Sequence, residues 1–191
     1  MSVDILAALR QRGALLDGHF RLSSGRHSNR FIQKFRILED PALVEPIARA
    51  LAQAFAAQRP TVVVSAAVGG IILGYETARA LGTLAVFVER EDGQPVLRRG
   101  FQLAANDRVL VVEDVVTTGG SVREVLCLVA ATGATSVGVG VIVRRAAVDF
   151  GVATHALVDL PVVSYDPQEC PQCAAGEPIL DPGSRRSGAA R

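Results

Sequence analysis

The chain has 191 residues, enough for one domain with a sizeable core, and 49% of them are hydrophobic. Its 20 basic and 19 acidic side chains give a formal net charge of +1, so we expect no nucleic-acid partner. No apolar run approaches the ~20 residues that span a membrane, and the N-terminus lacks a signal-peptide layout. We therefore expect a cytoplasmic protein with no membrane partner.

Apolar periodicity predicts strands that alternate with helices along most of the chain. Residues 3–16 carry one helical apolar face that ends near Gly13. Two short extended pieces and then longer elements follow: extended residues 19–22 and 29–35, a helix that begins at Pro41, has an apolar stripe up to Phe55 and is stopped by Pro60, a strand at 61–65, a helix at 71–81, a strand at 84–88, a strand at 109–112 with a helix behind it, and strands at 136–143 and 155–160. Such alternation with nearly all-apolar strands predicts an α/β fold with a parallel sheet covered on both faces.

Residues 89–107, EREDGQPVLRRGFQLAAND, interrupt this alternation. The segment is charged and has no helical period, and a long polar segment inside a compact α/β domain is commonly a functional flap. We expect a small hairpin within residues 95–101 and take Gly93 and Gly100 as candidate hinges. Residues 183–191, GSRRSGAAR, are expected to be disordered.

Residues 108–121, RVLVVEDVVTTGGS, are the most informative stretch of the chain. A buried strand leads to Glu113 and Asp114, and a turn of hydroxyl residues and glycines then starts a helix. Backbone N–H groups at such a turn bind an anion, and glycine lets a phosphate approach closely. The carboxylates suit sugar hydroxyls or a cation. The pattern therefore predicts a site for a phosphate joined to a sugar.

The alternative interpretation of this stretch is a strand that ends in solvent beside an ordinary turn. The complete string is more specific than its parts. No Gly-Lys-Ser/Thr follows the glycines, which excludes a P-loop, and no GxGxxG opens the helix, which excludes the dinucleotide fingerprint. Ligands of parallel sheets collect beyond the carboxyl ends of the strands, so we expect one crevice to gather four segments: residues 66–70, 89–100, 113–121 and 144–145.

The string closely resembles the 5-phosphoribosyl 1-diphosphate (PRPP) motif of the type I phosphoribosyltransferases. Four further segments resemble orotate phosphoribosyltransferase: SSGRHSN at 23–29, AAVGGIILGYETARALG at 66–82, FVERE with LRRGF at 87–101, and YDPQECPQCAAGEPILDPGSR at 165–185. The resemblance implies a type I phosphoribosyltransferase fold, a central parallel sheet flanked by helices, with a small hood from the N-terminal segment and the tail. It also implies one domain over residues 1–182, with hood and base-side residues at 1–40 and a flexible catalytic flap at 89–107.

The resemblance further implies roles for individual residues. Glu113 and Asp114 would hold the ribose hydroxyls, and Asp114 and Arg90 would be the catalytic residues, with Arg90 reaching PRPP in the partner subunit of a homodimer. The other PRPP-binding residues would be Val115, Val116, Thr117, Thr118, Gly119, Gly120 and Ser121 around the 5′-phosphate and Gly69 and Gly70 in the diphosphate loop. Orotate would lie against Thr117, Arg145, Phe31 and the turn from Ser23 to Arg26, including Ser24 and Gly25.

The activity implied is Mg²⁺-dependent conversion of orotate and PRPP to orotidine 5′-monophosphate and diphosphate in pyrimidine (UMP) biosynthesis. Mg²⁺ would be chelated by the substrates, so no residue is predicted to be a metal ligand. The alternatives are a purine or uracil phosphoribosyltransferase, a PRPP-sensing regulator without catalysis, and an interaction module built on Cys170 and Cys173.

Several positions depart from the family pattern. Lys34 is the single lysine beside nineteen arginines, so we expect arginine, backbone or nothing wherever relatives use lysine for phosphate. Arg98 and Arg99 are either replacements for flap charge or a solvated pair, and Arg144 stands where relatives often have aspartate.

The three cysteines complete the sequence picture. Cys127 is expected to be a buried small side chain. Cys170 and Cys173 form a CPQC knuckle that offers half a zinc site, but neither a second CxxC nor a His pair lies near it in sequence. We therefore favour a structural turn there, with metal binding and a redox disulfide as the alternatives.

Overall fold

The computed structural model describes residues 4–22 and 24–182, which form two sheets and the helices packed on them. Two 3₁₀ turns, Ala56–Gln58 and Pro167–Glu169, add to the regular elements. In chain order those elements are α1 (Ile5–Gln11), β1 (Leu15–Arg21), β2 (His27–Ile32), α2 (Phe35–Leu38), α3 (Pro41–Phe55), β3 (Val62–Ala66), α4 (Gly70–Leu81), β4 (Leu84–Glu91), β5 (Gln94–Leu97), β6 (Arg108–Val116), α5 (Gly120–Ala131), β7 (Thr135–Arg144), β8 (Thr154–Asp159), β9 (Ser164–Tyr165) and α6 (Pro171–Ala174).

The larger sheet has six strands in the order β5-β4-β3-β6-β7-β8. All neighbours in it are parallel except β5, which pairs antiparallel with β4. Alternate residues of the central strands face opposite sides, as the strand repeat of two requires. Val63 and Leu110 join the core under α3 and α4, whereas Val62 and Val64 join the core under α5. The predicted parallel sheet, covered on both faces, is confirmed.

The order of the central strands creates a crevice at one point of the sheet. After β3 the chain continues outward to β4 and β5, and it returns to place β6 on the other side of β3. The loops that leave β3 and β6 therefore diverge at the carboxyl edge of the sheet. Ligands of open α/β sheets bind at such a switch point.

The smaller sheet joins the N-terminal strands to the tail, in the order β1-β2-β9 with antiparallel pairing. Along β1, the backbone of Phe20 forms an isolated parallel bridge with that of Leu180. The N–H of Leu180 donates to the carbonyl of His19 at 2.7 Å, and the N–H of Arg21 donates to the carbonyl of Leu180 at 2.9 Å. Residues from both ends of the described chain thus form one small unit, which we call the hood.

The flap differs from the sequence prediction. Strand β4 continues through the charged residues to Glu91, and its turn is Asp92-Gly93, with φ values of 51° and 81°. Two residues with positive φ make the tight turn that antiparallel hairpins favour, and Asp-Gly suits it. The hairpin predicted inside residues 95–101 is therefore wrong, because the strand pair begins earlier.

Four other outcomes concern the helices and the tail. Cys127 is exposed rather than buried, because it lies on the solvent side of α5. The first helix spans only Ile5–Gln11, and β1 begins at Leu15 rather than at residue 19. No helix in the described part of the chain is long and apolar enough to cross a membrane. The disorder predicted for residues 183–191 lies outside the described residues.

Candidate active site

The loop after β3 lies against the carboxyl end of β6 at the switch point. Gly69 ends this loop, and a Cβ at this position would overlap Asp114 Oδ2 and stand 2.5 Å from Lys34 Nζ. Gly70 starts α4 against β3, where a Cβ would stand 3.0 Å from the Cβ of Ser65. Only glycine lets this loop lie so close to the acidic pair. The structure thus brings together the predicted diphosphate loop and the predicted ribose carboxylates.

The acidic pair is buried and shares one lysine. Asp114 is 2% exposed, and its Oδ1 accepts hydrogen bonds from Val115 N at 2.7 Å and from Lys34 Nζ at 3.1 Å. Its Oδ2 lies 2.8 Å from the same Nζ, but within the described residues it receives no hydrogen bond of acceptable geometry. This oxygen is therefore left as an acceptor for a ligand hydroxyl.

Glu113 is held mostly protonated at neutral pH. Burial, followed by the negative charge of Asp114, raises its pKa from 4.5 to about 8, and Lys34 opposes the shift. The backbone N–H of Asp114 donates to Glu113 Oε1 at 3.1 Å. The pair thus carries close to one negative charge, which Lys34 balances, and two adjacent carboxylates remain buried without strong repulsion.

Lys34 is the site residue that sequence reasoning missed. It lies between β2 and α2, and its side chain is 35% exposed at the edge of the cleft. The expectation that arginine, backbone or nothing replaces lysine in this chain overlooked it. Its being the single lysine was the available signal, but nothing in the sequence connects it to Asp114, eighty residues away.

The loop after β6 ends at a helix start with open N–H groups. Gly119 is the N-cap of α5, it has a φ of 79°, and no side chain caps the helix. A Cβ on Gly119 would stand 2.7 Å from Phe150. The hydroxyl residues Thr117, Thr118 and Ser121 are exposed. An uncapped helix start beside exposed hydroxyls is a suitable binding site for a phosphate.

This loop lines a cavity of about 240 Å³. Its lining consists of Arg90, Glu113, Val115, Val116, Thr117, Thr118, Gly119, Gly120, Ser121, Val122 and Glu124. A larger depression of about 470 Å³ lies near the amino end of β3, between α3 and α4, and it contains no carboxylate. Because ligands of parallel sheets bind at the carboxyl ends of the strands, we assign the smaller cavity to the site.

Arg90 reaches this cavity from the flap of the same chain. Its guanidinium donates to the carbonyl of Gly93 at 2.6 Å and forms an ion pair with Glu124 of α5. Arg98 and Arg99 pair with Glu91 and Glu89 of the hairpin, at 3.3 Å and 2.9 Å. In this conformation the flap arginines therefore neutralise carboxylates of the protein.

The two arginines after β7 differ in their partners. Arg144 binds Asp159 through two hydrogen bonds of 2.6 and 3.0 Å. The N–H of Arg145 donates to the carbonyl of Val116 at 2.8 Å, which places its backbone beside the phosphate loop. Burial lowers the pKa of Arg145, and its Nε is buried without an acceptor among the described residues. Arg145 is therefore the arginine that a bound carboxylate would satisfy.

The base-side turn belongs to the hood. Gly25 has a φ of 81°, and the turn closes through Leu22 N, which donates to the carbonyl of Arg26 at 2.8 Å. Arg26 donates to the carbonyl and the hydroxyl of Ser164, at 2.6 and 3.0 Å. Ser24 lies in this turn, and Ser23 lies outside the described residues. These hydrogen bonds fix the turn to the tail rather than to the loops of the cleft.

Phe31 is the remaining base-side candidate. It lies on β2, one strand residue before Ile32, and its ring packs at 5.7 Å from the ring of Phe20. Phe31 is half-buried, so part of its ring remains available for a contact. The contacts described for it are with the hood.

Comparison with known proteins assigns the family. Residues 35–151 match the model of the phosphoribosyl transferase domain. An orotate phosphoribosyltransferase of Pelotomaculum thermopropionicum is 52% identical over 185 residues, which are 96% of this chain and 97% of that protein. The chain belongs to the orotate phosphoribosyltransferase family. The orotate phosphoribosyltransferase of Caldanaerobacter subterraneus is 50% identical over 171 residues, 88% of this chain and 90% of the relative.

A solved structure of an orotate phosphoribosyltransferase supports the fold. The crystal structure from Aeropyrum pernix has a TM-score of 0.69 at 27% identity and covers 82% of this chain and 93% of its own. The predicted family, fold class and phosphoribosyltransferase activity are thereby confirmed. The roles given to single residues stay predictions, and their support is the geometry above.

Proposed function

We propose that this phosphoribosyltransferase transfers the 5-phosphoribosyl group of PRPP to N1 of orotate, giving orotidine 5′-monophosphate and diphosphate for pyrimidine biosynthesis. The observation that carries the proposal is the meeting of the buried Glu113–Asp114 pair with an uncapped, glycine-rich helix start at one switch point. The relative from Pelotomaculum, at 52% identity, supports orotate as the base.

The acidic pair and the loop behind it bind the ribose 5-phosphate. Asp114 Oδ2, which lacks a hydrogen-bond donor within the described residues, accepts from a ribose hydroxyl, and Glu113 accepts from the other. The 5′-phosphate lies on the N–H groups that start α5, with the hydroxyls of Thr117, Thr118 and Ser121 around it. Gly69 and Gly70, at the start of α4, receive the diphosphate.

Orotate brings a carboxylate, and Arg145 is its partner. A half-buried guanidinium with an unpaired Nε gains most from a ligand that accepts two parallel hydrogen bonds. Thr117 begins the phosphate loop just after Val116, whose carbonyl holds the backbone of Arg145. Ser24, Gly25 and Phe31 approach the base from the hood.

The chemistry needs positioning and charge balance more than a protein nucleophile. The C1–O bond to diphosphate breaks, the leaving group takes the electron pair, and the C1–N1 bond forms to orotate after N1 has lost its proton. Positive charge builds on the ribose and negative charge on the diphosphate, so oriented donors stabilise the transition state. Arg90, at the edge of the cavity, lies where it can neutralise the leaving group once it releases Glu124.

We also infer a need for Mg²⁺. Asp114 Oδ2 is a buried carboxylate oxygen that receives no hydrogen bond within the described residues. Such an oxygen suits the neighbourhood of a cation that the substrate oxygens chelate. When bound with PRPP, Mg²⁺ would supply positive charge to the leaving diphosphate. Glu113 and Asp114 would orient the ribose hydroxyls that share it.

We infer a cytoplasmic homodimer whose flaps, at residues 89–107, close over the sites and exclude water. The support for a second copy is an apolar stripe at the start of α4. Val68, in the loop before α4, is 72% exposed. Ile72 and Tyr75 are 45 and 63% exposed, and their i, i+3 spacing places them on one face of α4. Such a stripe favours contact with another protein surface. Residues 1–182 then act as one domain, to which residues 1–40 contribute the N-terminal part of the hood and the base-side segment.

The test is loss of orotate absorbance with purified protein, PRPP and Mg²⁺. Loss that needs all three supports the proposal, and Asp114→Asn should lower turnover at least about 100-fold because the ribose contacts weaken. A circular dichroism spectrum like that of the wild type shows that the variant is folded. Turnover of adenine, hypoxanthine or uracil instead of orotate would replace the base assignment. PRPP binding without turnover of any base would indicate a sensor.

A further inference from the structure

Four potential metal ligands meet inside the hood, away from the cleft. They are His19 on β1, His27 on β2, and Cys170 and Cys173 of the CPQC knuckle. Their ligand atoms all lie within 4.8 Å of one another. The sequence argument that no His pair accompanies the knuckle is therefore wrong for the folded chain, because β1 and β2 bring both histidines to the tail.

Four of the six distances among these atoms are close to those of a tetrahedral site, and the other two are within 4.8 Å. His19 Nε2 lies 3.2 Å from His27 Nδ1, 3.5 Å from Cys170 Sγ and 3.6 Å from Cys173 Sγ. His27 Nδ1 lies 3.2 Å from Cys173 Sγ. Zn–N bonds of ~2.0 Å and Zn–S bonds of ~2.3 Å in a tetrahedron separate the ligand atoms by about 3.3 to 3.8 Å. One ion of that size fits among the four atoms.

The surroundings prepare His19 for this role. Its Nδ1 lies 3.0 Å from the carbonyl of Glu177. A carbonyl can only accept, so Nδ1 carries the proton and the lone pair of Nε2 faces the centre of the cluster. This backbone contact is the usual second partner of a metal-binding histidine. His27 turns its Nδ1 to the same point.

Hydrogen bonds alone leave this cluster poorly satisfied. His19 Nε2 has three polar neighbours within 3.6 Å, yet without a proton it can accept only one good hydrogen bond. His19, His27 and Cys170 are 2, 5 and 2% exposed, so water offers little compensation. Both cysteines are free thiols rather than a disulfide. A cation at the centre would satisfy all four atoms.

We propose that His19, His27, Cys170 and Cys173 bind one structural Zn²⁺ per chain. Two thiolates and two neutral imidazoles balance the charge of the ion, which suits a buried position. Four protein ligands leave no position for a substrate, so the site is closed and has no part in the chemistry. The ion joins β1 and β2 to the tail and thereby fixes the hood that carries the turn at residues 24–26.

The first experiment measures zinc in the purified wild-type protein by elemental analysis, after reduction and reconstitution with Zn²⁺ and removal of loosely bound metal. One zinc per chain is expected. Cys170→Ser and Cys173→Ser should lose at least nine-tenths of it. The matched controls are Cys127→Ser, which removes the exposed third cysteine, and His155→Gln, which removes the third histidine. Both controls should keep the full zinc content.

A second readout uses the intact wild-type protein, so that a misfolded variant cannot decide the outcome. Reconstitution with Co²⁺ should give the visible absorption of a tetrahedral ion and a thiolate charge-transfer band. Removal of zinc should lower the melting temperature by roughly 5 to 10 °C, and zinc should restore it.

The proposal is overturned if the reduced wild type takes up no zinc, or if Cys170 and Cys173 form a disulfide in the native protein. Equal loss of zinc from Cys127→Ser would also overturn it. None of these results depends on orotate turnover, so the zinc site and the proposed function stand or fall separately.

Discussion

At the scale of single residues, the acidic pair combines two carboxylates with one lysine. Glu113 is 8% and Asp114 2% exposed, and Lys34 forms an ion pair with Asp114 and acts on Glu113 through its charge. Charge balance is therefore reached by protonating Glu113, whose pKa is raised to about 8 by burial and by the charge of Asp114. A protonated Glu113 can still accept a hydrogen bond from a ribose hydroxyl, so the ligand contact is kept while repulsion is avoided.

Glu113→Gln tests this protonation through stability. The pKa of Glu113 in the folded chain, about 8, exceeds its usual 4.5. The folded state thus gains stability from the bound proton below pH 4.5 and loses it as the pH rises through 8. Relative to Glu113→Gln, the unliganded wild type should lose free energy of unfolding between pH 5 and 8, at most about 1.4 kcal/mol per pH unit.

Urea unfolding of both proteins at several pH values in this range measures the difference. Glu124→Gln is the control, because Glu124 is 39% exposed and pairs with Arg90 at the surface. Its profile should follow that of the wild type. Parallel profiles for Glu113→Gln and the wild type would show that Glu113 is ionised when buried.

Arg145→Ala tests the orotate contact. Loss of a charged hydrogen-bond pair should raise the KM for orotate by roughly tenfold to a hundredfold, with a smaller effect on the KM for PRPP. Steady-state kinetics with each substrate varied in turn measures both constants. Arg144→Ala is the matched control, since Arg144 is engaged by Asp159 on β8. Equal increases in both constants for Arg145→Ala would argue against a base-side position.

At the scale of elements, the start of α5 depends on one glycine. Gly119 needs a positive φ, and it has no room for a Cβ because Phe150 and Val148 pack against it. Gly119→Ala should therefore displace the loop and lower kcat/KM for PRPP at least about tenfold. Gly151→Ala is the control, because Gly151 has a φ of 72° but open space around it. It should lose stability to a similar strain and keep its activity.

Kinetics and thermal unfolding of the two glycine variants separate the effects. Phosphate binding by calorimetry adds a readout that does not require turnover. A Gly119→Ala protein that binds phosphate and PRPP normally would mean that the loop tolerates the change. The uncapped helix start would then not need this geometry.

The sequence predicted the features that a local pattern records. It missed the contacts between residues that lie far apart in the chain. Helix α3 was predicted to begin at Pro41 and to stop at Pro60, and it spans Pro41–Phe55, because its apolar stripe marks it clearly. The acidic pair and the phosphate loop are contiguous in the chain, so a local string revealed them. Lys34 and His27 meet partners that lie 80 and 146 residues away. No local pattern records such contacts, because the fold creates them.

At the scale of the whole molecule, the apolar stripe and the flap both bear on whether a flap serves the site of its own chain or that of a second copy. Val68 lies in the diphosphate loop, next to Gly69. A second copy docked on Val68, Ile72 and Tyr75 would therefore lie close to the cleft. Arg90 lines the cavity of its own chain, yet its contact is an exposed ion pair with Glu124 that costs little to break. A dimer would let the hairpin serve either site.

Hybrid dimers of Arg90→Ala and Asp114→Asn chains distinguish the two arrangements. If each flap serves the partner's site, a hybrid has one site with an intact flap and an intact acidic pair, so the purified hybrid regains about half of the wild-type activity per dimer. If each flap serves its own site, every site carries one defect. Activity is measured by orotate absorbance on hybrids purified through two different affinity tags.

The first controls are dimers of each single variant alone. The second control is a hybrid of wild type with a chain that carries both substitutions, purified through the same two tags. The doubly substituted hybrid keeps one intact site only when each flap acts on its own chain, so it gives the opposite pattern. Sedimentation first establishes that the wild type is a dimer. Two results together would assign Arg90 to the cavity that it lines in its own chain: an inactive hybrid of the Arg90→Ala chain with the Asp114→Asn chain, and an active hybrid of the doubly substituted chain with wild type.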